Sequence, residues 1–176
     1  RSTKERVKPE IDSEHNVLTD LSDLVKNRPW IILFFVSLIL LIYVFIRSGS
    51  ILYYFEYYLG NKKMASAFMF SGTVVVLLAT YMTKEFTQIK NKKKLFIISM
   101  VIIIVSLAGT YFAKPHQIVL IFALQILFSL GSGPTMPLLW SMYADVADYS
   151  DWRTGRRATG LVFSASTFAI KFGAAI

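Results

Sequence analysis

The sequence predicts an all-α membrane protein, a helix bundle of four complete transmembrane helices and the start of a fifth. Three observations predict it. The 176 residues are 55% hydrophobic with a mean hydropathy of +0.52, too apolar for a soluble domain of this size. From Trp30 onward the apolar residues form long runs, and each complete run provides the roughly 20 helical residues that cross a bilayer. The net charge of +8 collects in short connections between runs, where it sets membrane orientation and forms no face suited to nucleic acid.

Residues 1–28 mix acids and bases around Pro9 and read as a cytoplasmic linker preceding a transmembrane bundle over residues 29–176. Within the linker, Val17, Leu18, Leu21, Leu24 and Val25 recur at helical spacing opposite Asp20, Asp23 and Lys26. Two readings fit this pattern: an amphipathic helix lying on the membrane surface, or a short helix packed on a neighbouring loop. The first run, Trp30 to Leu59, is roughly 45 Å of helix. It is expected to tilt or to bend at Gly49, between Ser48 and Ser50. A turn at Gly60-Asn61-Lys62-Lys63 leads to the second run, Met64 to Thr83, and a loop from Lys84 to Lys94 carries five lysines. The third run is Leu95 to Ala113, and Lys114-Pro115-His116 forms a tight turn. The fourth run is Gln117 to Tyr143, and a charged connection, 144–159, leads to a fifth that begins near Gly160.

The chain opens on Arg1 and closes inside an apolar helix at Ile176, the pattern expected of a piece of a longer protein, truncated at its C-terminus. No signal peptide is visible. There are no cysteines, and His15 and His116 both lie in connections without a second ligand, so no metal site and no cofactor is expected. Basic residues near helix ends divide unevenly. One side holds Lys26, Arg28, Lys84, Lys90, Lys92, Lys93, Lys94, Arg153, Arg156 and Arg157, and the other only Lys62, Lys63 and Lys114. The first side is therefore cytoplasmic, which places residues 1–28, 84–94 and 144–159 inside. The short outer connections predict an up-down bundle of antiparallel neighbours.

Several polar groups stand at membrane depth. In the fourth run, Gly131, Ser132, Gly133, Pro134, Thr135, Met136 and Pro137 predict a kink, because each proline removes a backbone hydrogen bond. Such a break is tolerated only against protein or water. Gln125, Ser129, Ser132, Met136, Trp140 and Tyr143 fall on one face, which suits either a cavity lining or helix packing through small residues. In the fifth run Ser164, Thr167 and Lys171 share a face, with Lys171 roughly 16 Å beyond Gly160 and so near the bilayer midplane. A lysine there binds a polyhydroxylated or anionic solute, or pairs with an acid on another helix. Arg47 lies within the first run and is expected to face the bundle interior, whereas Glu56 is solvated at the outer mouth. Tyr53, Tyr54, Tyr57 and Tyr58 suit an interfacial belt, and Tyr53 with Tyr57 also suits a cavity edge. Asp145 and Asp148, one helical turn apart at a helix end, need cationic partners there. Arg153, Arg156 and Arg157 follow closely.

The pattern Ala144-Asp145 to Asp148-Tyr149, then Gly155-x-Arg157, then a helix bearing Lys171, resembles the glycoside-pentoside-hexuronide:cation symporters of the major facilitator superfamily. Glu5-Arg6-Val7, Asn27-Arg28-Pro29, Tyr53-Tyr54-Phe55 with Tyr57, and Gly131 to Trp140 extend the resemblance along the chain. It implies helices seven to ten and part of eleven of a facilitator-type bundle. It also implies cation-driven symport of a glycoside, pentoside or hexuronide by alternating access in the bacterial cytoplasmic membrane, coupled to Na+ or H+. The partners implied are a small sugar, the lipid bilayer and an N-terminal half carrying the cation-binding carboxylates.

Lys171 corresponds to the family's midplane lysine near the sugar and cation sites, and Thr167 to the hydroxyl one turn before it. Ser166 stands where the melibiose carrier has glutamine, and Met136 where it has a tryptophan, with Trp140 one turn further on. The expected solute-binding set is Lys171, Thr167, Ser164, Ser166, Trp140, Met136, Ser132, Gln125, Tyr53 and Arg47. Asp145, Asp148, Arg153 and Arg157 form the expected cytoplasmic gate. The alternatives of a different class are a membrane-embedded enzyme acting on lipid or glycan substrates through Asp145 and Asp148, and a purely structural scaffold.

Overall fold

The computed structural model of the chain describes residues 22, 24–89, 91–154 and 159–175. Six α-helices follow in order: α1 Arg28–Tyr53, α2 Lys63–Ile89, α3 Lys92–Phe112, α4 Ile118–Ser132, α5 Thr135–Thr154 and α6 Thr159–Ala175. A π-helical turn, Tyr54–Tyr58, continues α1. Among the described residues, four helical spans are long and apolar enough to cross a membrane: Arg28–Tyr58, Lys63–Glu85, Lys92–Phe112 and Ile118–Arg153. Gly160–Gly173 is a shorter apolar helix. Large apolar side chains cover the outside, as Phe70 (71% exposed), Leu77 (65%) and Val119 (85%) illustrate. That inverts the pattern of a soluble protein and suits a lipid surround, where an exposed Leu or Phe costs nothing. Most of the linker, including Val17, Leu18 and Leu21 of the amphipathic pattern, lies outside the described residues. Leu24 is buried in the core.

Helix ends depart from the apolar runs in three places. The Asn27 side chain caps α1, its Oδ1 accepting from the Trp30 backbone N–H at 3.3 Å, with Pro29 in the first turn. The expected bend at Gly49 is absent: α1 passes through it, and Ser48 and Ser50 bond back to the carbonyls of Val44 and Ile46. The irregularity comes one turn later, in the π-helical turn Tyr54–Tyr58, and the chain then turns at Gly60, whose φ of 67° suits glycine. The Lys84–Lys94 loop is mostly helix, because lysine and glutamate are good helix formers once clear of the hydrocarbon. α2 runs to Ile89 and α3 starts at Lys92, where Asn91 Oδ1 accepts from the Lys93 N–H at 3.0 Å. Likewise Ala144–Thr154 is not a loop. α5 continues to Thr154, since no Gly or Pro interrupts it after Pro137.

The break in the fourth span falls at Gly133-Pro134. Its polar groups are satisfied from within the protein. Gly133 N–H donates to Ser129 O (3.0 Å), Thr135 Oγ1 to Ser132 O (2.7 Å), and Thr80 Oγ1 of α2 to Gly133 O (3.0 Å). α2 rides close here: a Cβ on Gly133 would lie 2.5 Å from Ala79 Cβ and 2.9 Å from Val76 O. Pro137 sits in the first turn of α5, where its missing N–H leaves little unpaired.

Packing corrects the expectation of simple antiparallel neighbours. α4 lies between α3 and α2, and α1 packs on α6, while the successive α2 and α3 touch only lightly. Given the directions set by the connections, α2–α4 and α1–α6 are parallel pairs. Two apolar cores result. The cytoplasmic core includes Leu33, Leu40, Leu95, Leu139, Tyr143 and Val162, and the outer core Ile51, Phe55, Ala65, Phe68 and Ile121. Between them lies a band of buried polar side chains.

The orientation gives a direct expected outcome. A cysteine introduced at the exposed Asn91 is labelled by a membrane-impermeant thiol reagent only from the cytoplasmic face. Labelling in intact cells from outside would reverse the assignment of both ends of the bundle.

Candidate functional site

Polar side chains gather at three levels. The outermost is built on α1 and α4. Arg47 is half-buried and donates from Nη2 to Gln125 Oε1, and its guanidinium carbon lies 3.8 Å from the centroid of the Phe128 ring. Both contacts suit a desolvated cation: the amide supplies an acceptor, and the ring face adds attraction that strengthens away from water. Tyr43, one turn before Arg47, meets the same ring edge-on at 6.0 Å, and its buried hydroxyl has no hydrogen-bond partner among the described residues. Gln125 is 5% exposed and fits only because residue 72 of α2 is glycine, where a Cβ would lie 2.1 Å from Gln125 Nε2. The side chains of Ile39, Ile42, Ile46 and Leu107 wall an apolar cavity of about 410 Å³ next to Tyr43 and Arg47.

At the middle level, α6 presents Lys171 exposed, Ser164 exposed and Thr167 half-buried. Both hydroxyls donate back along the helix, Ser164 to Gly160 O (2.7 Å) and Thr167 to Phe163 O (2.8 Å), which leaves their lone pairs free to accept. No acidic residue pairs with Lys171 among the described residues. Ser166 departs from the expected set. It is fully buried on the opposite side of α6, because an offset of one or two residues turns a helical side chain by roughly 100° or 200°. There it donates to Val162 O (2.6 Å), beside the Tyr143 phenol. Tyr143, also fully buried, meets Ser37 Oγ at 2.8 Å and donates to Leu33 O at 3.1 Å. This phenol ties α5 to α1, and Ser166, buried beside it, lies in the inter-helix joint and not on the exposed face.

The remaining expected residues divide between joint and surface. Trp140 is part-exposed and stacks on Phe163 of α6 at 6.1 Å and 12°. Met136 is half-buried against the cytoplasmic core, and Ser132 bonds Ser129 O at 3.2 Å beside the break. Tyr53 is 65% exposed and stacks on Tyr57 at 6.2 Å. The structure therefore joins Arg47 to Gln125, and Trp140 to α6, but leaves Tyr53 in an outer aromatic pair. Glu56 pairs with Lys62 at the outer mouth, 3.0 Å apart.

The cytoplasmic level holds the acids of α5. Asp145 receives Lys92 Nζ on both carboxylate oxygens, at 2.8 and 2.9 Å. Its partner among the described residues is thus Lys92, the first residue of α3. Asp148 and Arg153 are exposed, without an ion pair between them among the described residues, and Arg157 lies outside those residues. Lys92, Phe128, Gly72 and Ser37 had no role in the expected set. Each becomes visible only through a contact with a helix distant in sequence.

The Lys92–Asp145 pair is exposed at both ends and on its own contributes little to stability. Its expected effect is on the exchange between conformations. In the full-length protein, Lys92→Met or Asp145→Asn should change the translocation rate several-fold with solute affinity unchanged, and the swapped pair Lys92→Asp with Asp145→Lys should recover it. A loss of affinity at constant rate would instead make Asp145 a binding residue.

Residues 1–176 match the family model described as MFS/sugar transport protein. The chain belongs to this family. It is a multi-pass membrane chain of the facilitator type, in agreement with the four spans. Among curated relatives it is 33% identical over 180 residues to the Isoprimeverose transporter of Lactiplantibacillus pentosus, covering 99% of this chain and 37% of that protein. To the Inner membrane symporter YicJ of Escherichia coli it is 29% identical over 178 residues, 99% of this chain and 38% of that one. To the Glucuronide carrier protein homolog of Escherichia coli it is 27% identical over 177 residues, 100% of this chain and 38% of that one. The chain thus spans well under half the length of the curated relatives it matches. No solved structure gives a significant match.

Proposed function

We propose that the chain is the C-terminal bundle, helices seven to ten and part of eleven, of a secondary sugar transporter. It works with an N-terminal half in the cytoplasmic membrane of a bacterium, with residues 1–28 as the cytoplasmic linker between the halves. The transporter moves a glycoside, pentoside or hexuronide together with Na+ or H+, by rocking of two bundles about a midplane site. It is a carrier and performs no chemical step on the solute.

The observation that carries this reading is the exposed Lys171 at membrane depth, without an ion pair among the described residues and with Thr167 and Ser164 on the same face. A charge is stable at that level only against a watery cavity or a partner. Compact ammonium and hydroxyl groups are the donors and acceptors that a sugar's hydroxyls require. Arg47 and Gln125 form a second polar group nearer the outside, and Trp140 offers a stacking face between α5 and α6. The names of the relatives, a transporter of isoprimeverose and a glucuronide carrier homolog among them, support the same class of solute. The test is counterflow. Vesicles containing the full-length protein and preloaded with unlabelled sugar should accumulate labelled sugar transiently, with Na+ or H+ dependence and no chemical change in the sugar. Chemical conversion of the sugar without a gradient would sink the proposal.

A further inference from the structure

A groove of about 730 Å³ opens at the cytoplasmic end, away from the polar groups assigned to the solute. It is lined by Ile32 of α1, Met142 and Asp145 of α5, Thr87 of α2, and Lys92 and Lys93 of α3. A second hollow of about 390 Å³ shares Thr87 and Lys92 with it and adds Thr80, Thr83, Lys84 and Ser141. The volumes are those of sites that hold small molecules. The lining separates by chemistry: one wall is aliphatic, and the rim is hydroxyl and ammonium.

Among the described residues, the charges at the rim are unbalanced. Lys92 is held by Asp145. Lys84, Lys93 and Lys94, all exposed, have no ion pair among the described residues. Arg28, also exposed, stands one helical turn before Ile32, which is 62% exposed although apolar. A soluble anion would suit the rim but leave Ile32 and Met142 against water. An apolar segment would suit the wall but leave the ammonium groups uncompensated. We propose that this groove binds an anionic phospholipid of the cytoplasmic leaflet, its phosphate on Lys93 and Lys84 and its upper acyl chain along Ile32 and Met142. Basic hollows between transmembrane helices on this side of a membrane take such headgroups. Because Lys92 lies in both hollows and grips Asp145, the lipid sits beside the ion pair that links α3 to α5.

The test uses purified full-length protein in phosphatidylcholine vesicles containing phosphatidylglycerol, with retained lipid counted by native mass spectrometry after detergent extraction. Wild type should retain phosphatidylglycerol in preference to phosphatidylcholine. Lys93→Gln should weaken retention about fivefold, and Lys84→Gln with Lys93→Gln about 25-fold, from the attraction of each lysine for an anionic surface. Ile32→Trp fills the groove without changing charge and should also reduce retention. A merely diffuse surface attraction would leave Ile32→Trp like wild type, which would overturn the site. Displacement of phosphatidylglycerol by inorganic phosphate at matched concentration would overturn the lipid as its occupant and leave a soluble-anion site. Lipid retention is read without transport, so this result stands apart from the test of sugar counterflow.

Discussion

Arg47→Leu in the full-length protein is expected to reduce sugar uptake by roughly tenfold to a hundredfold. The guanidinium is fixed at membrane depth by Gln125 and the Phe128 ring, and it has no acidic partner among the described residues. One amide acceptor uses one of its five donors, and the others are available to a solute. A hydrogen bond to a charged group contributes about 1.5–3 kcal/mol, which converts to that range of affinity. Leucine also strands Gln125 Oε1 between α1 and α4. Arg47→Lys should recover only part of the loss, because a compact ammonium neither spans to Gln125 nor stacks on Phe128 as a planar guanidinium does. Gly72→Val should reproduce a fraction of the effect, since its Cβ takes the space of Gln125 Nε2. The measurements are sugar binding and the thermal unfolding midpoint, at matched expression. A lowered midpoint with wild-type binding per folded molecule would make Arg47 a clamp between helices and nothing more.

The spans were legible in the sequence because a bilayer imposes length and apolarity together, and nothing else in a small protein imitates that combination. The break at Gly133-Pro134 was legible for the same reason, since two prolines and two glycines at membrane depth permit no regular helix. Helix ends were not. Lys84 to Ile89 and Ala144 to Thr154 are polar but good helix formers, so hydropathy ends each span several residues before the backbone does. Gly49 misled in the opposite way, because its flanking serines satisfy their hydroxyls on the carbonyls four residues back and the helix continues.

The site was partly legible. Spacing alone put Ser164, Thr167 and Lys171 on one face, and the resemblance to the sugar symporters singled out the same helix. That resemblance also placed Ser166 with the solute, and the rotation of the helix places it in the Tyr143 joint. Arg47 and Gln125 were both expected inside the bundle, but their contact joins residues 78 apart in sequence, which no local pattern reveals. Lys92 was hidden among five lysines of one connection, alike until the fold brings one of them to Asp145 across 53 residues.

Lys171→Leu is expected to have the other large effect. It removes the ammonium and keeps most of the aliphatic stem, and Lys171 makes no ion pair among the described residues, so folding and expression should be maintained. Loss of one charge-assisted hydrogen bond corresponds to a fall of tenfold or more in sugar affinity or in cation-driven uptake. Lys171→Arg keeps the charge but enlarges and flattens the donor, so recovery should be partial. Ser166→Ala provides the contrast. It lies only five residues away but on the buried side of α6, and its removal should lower the unfolding midpoint through the Tyr143 joint with little change in sugar affinity. Cation-driven uptake and direct sugar binding, measured together for the three variants, separate the two faces of one helix. If Lys171→Leu matched wild type in both, the charge would be a tolerated feature of the surface, and the solute would have to be held by the Arg47 and Gln125 level instead.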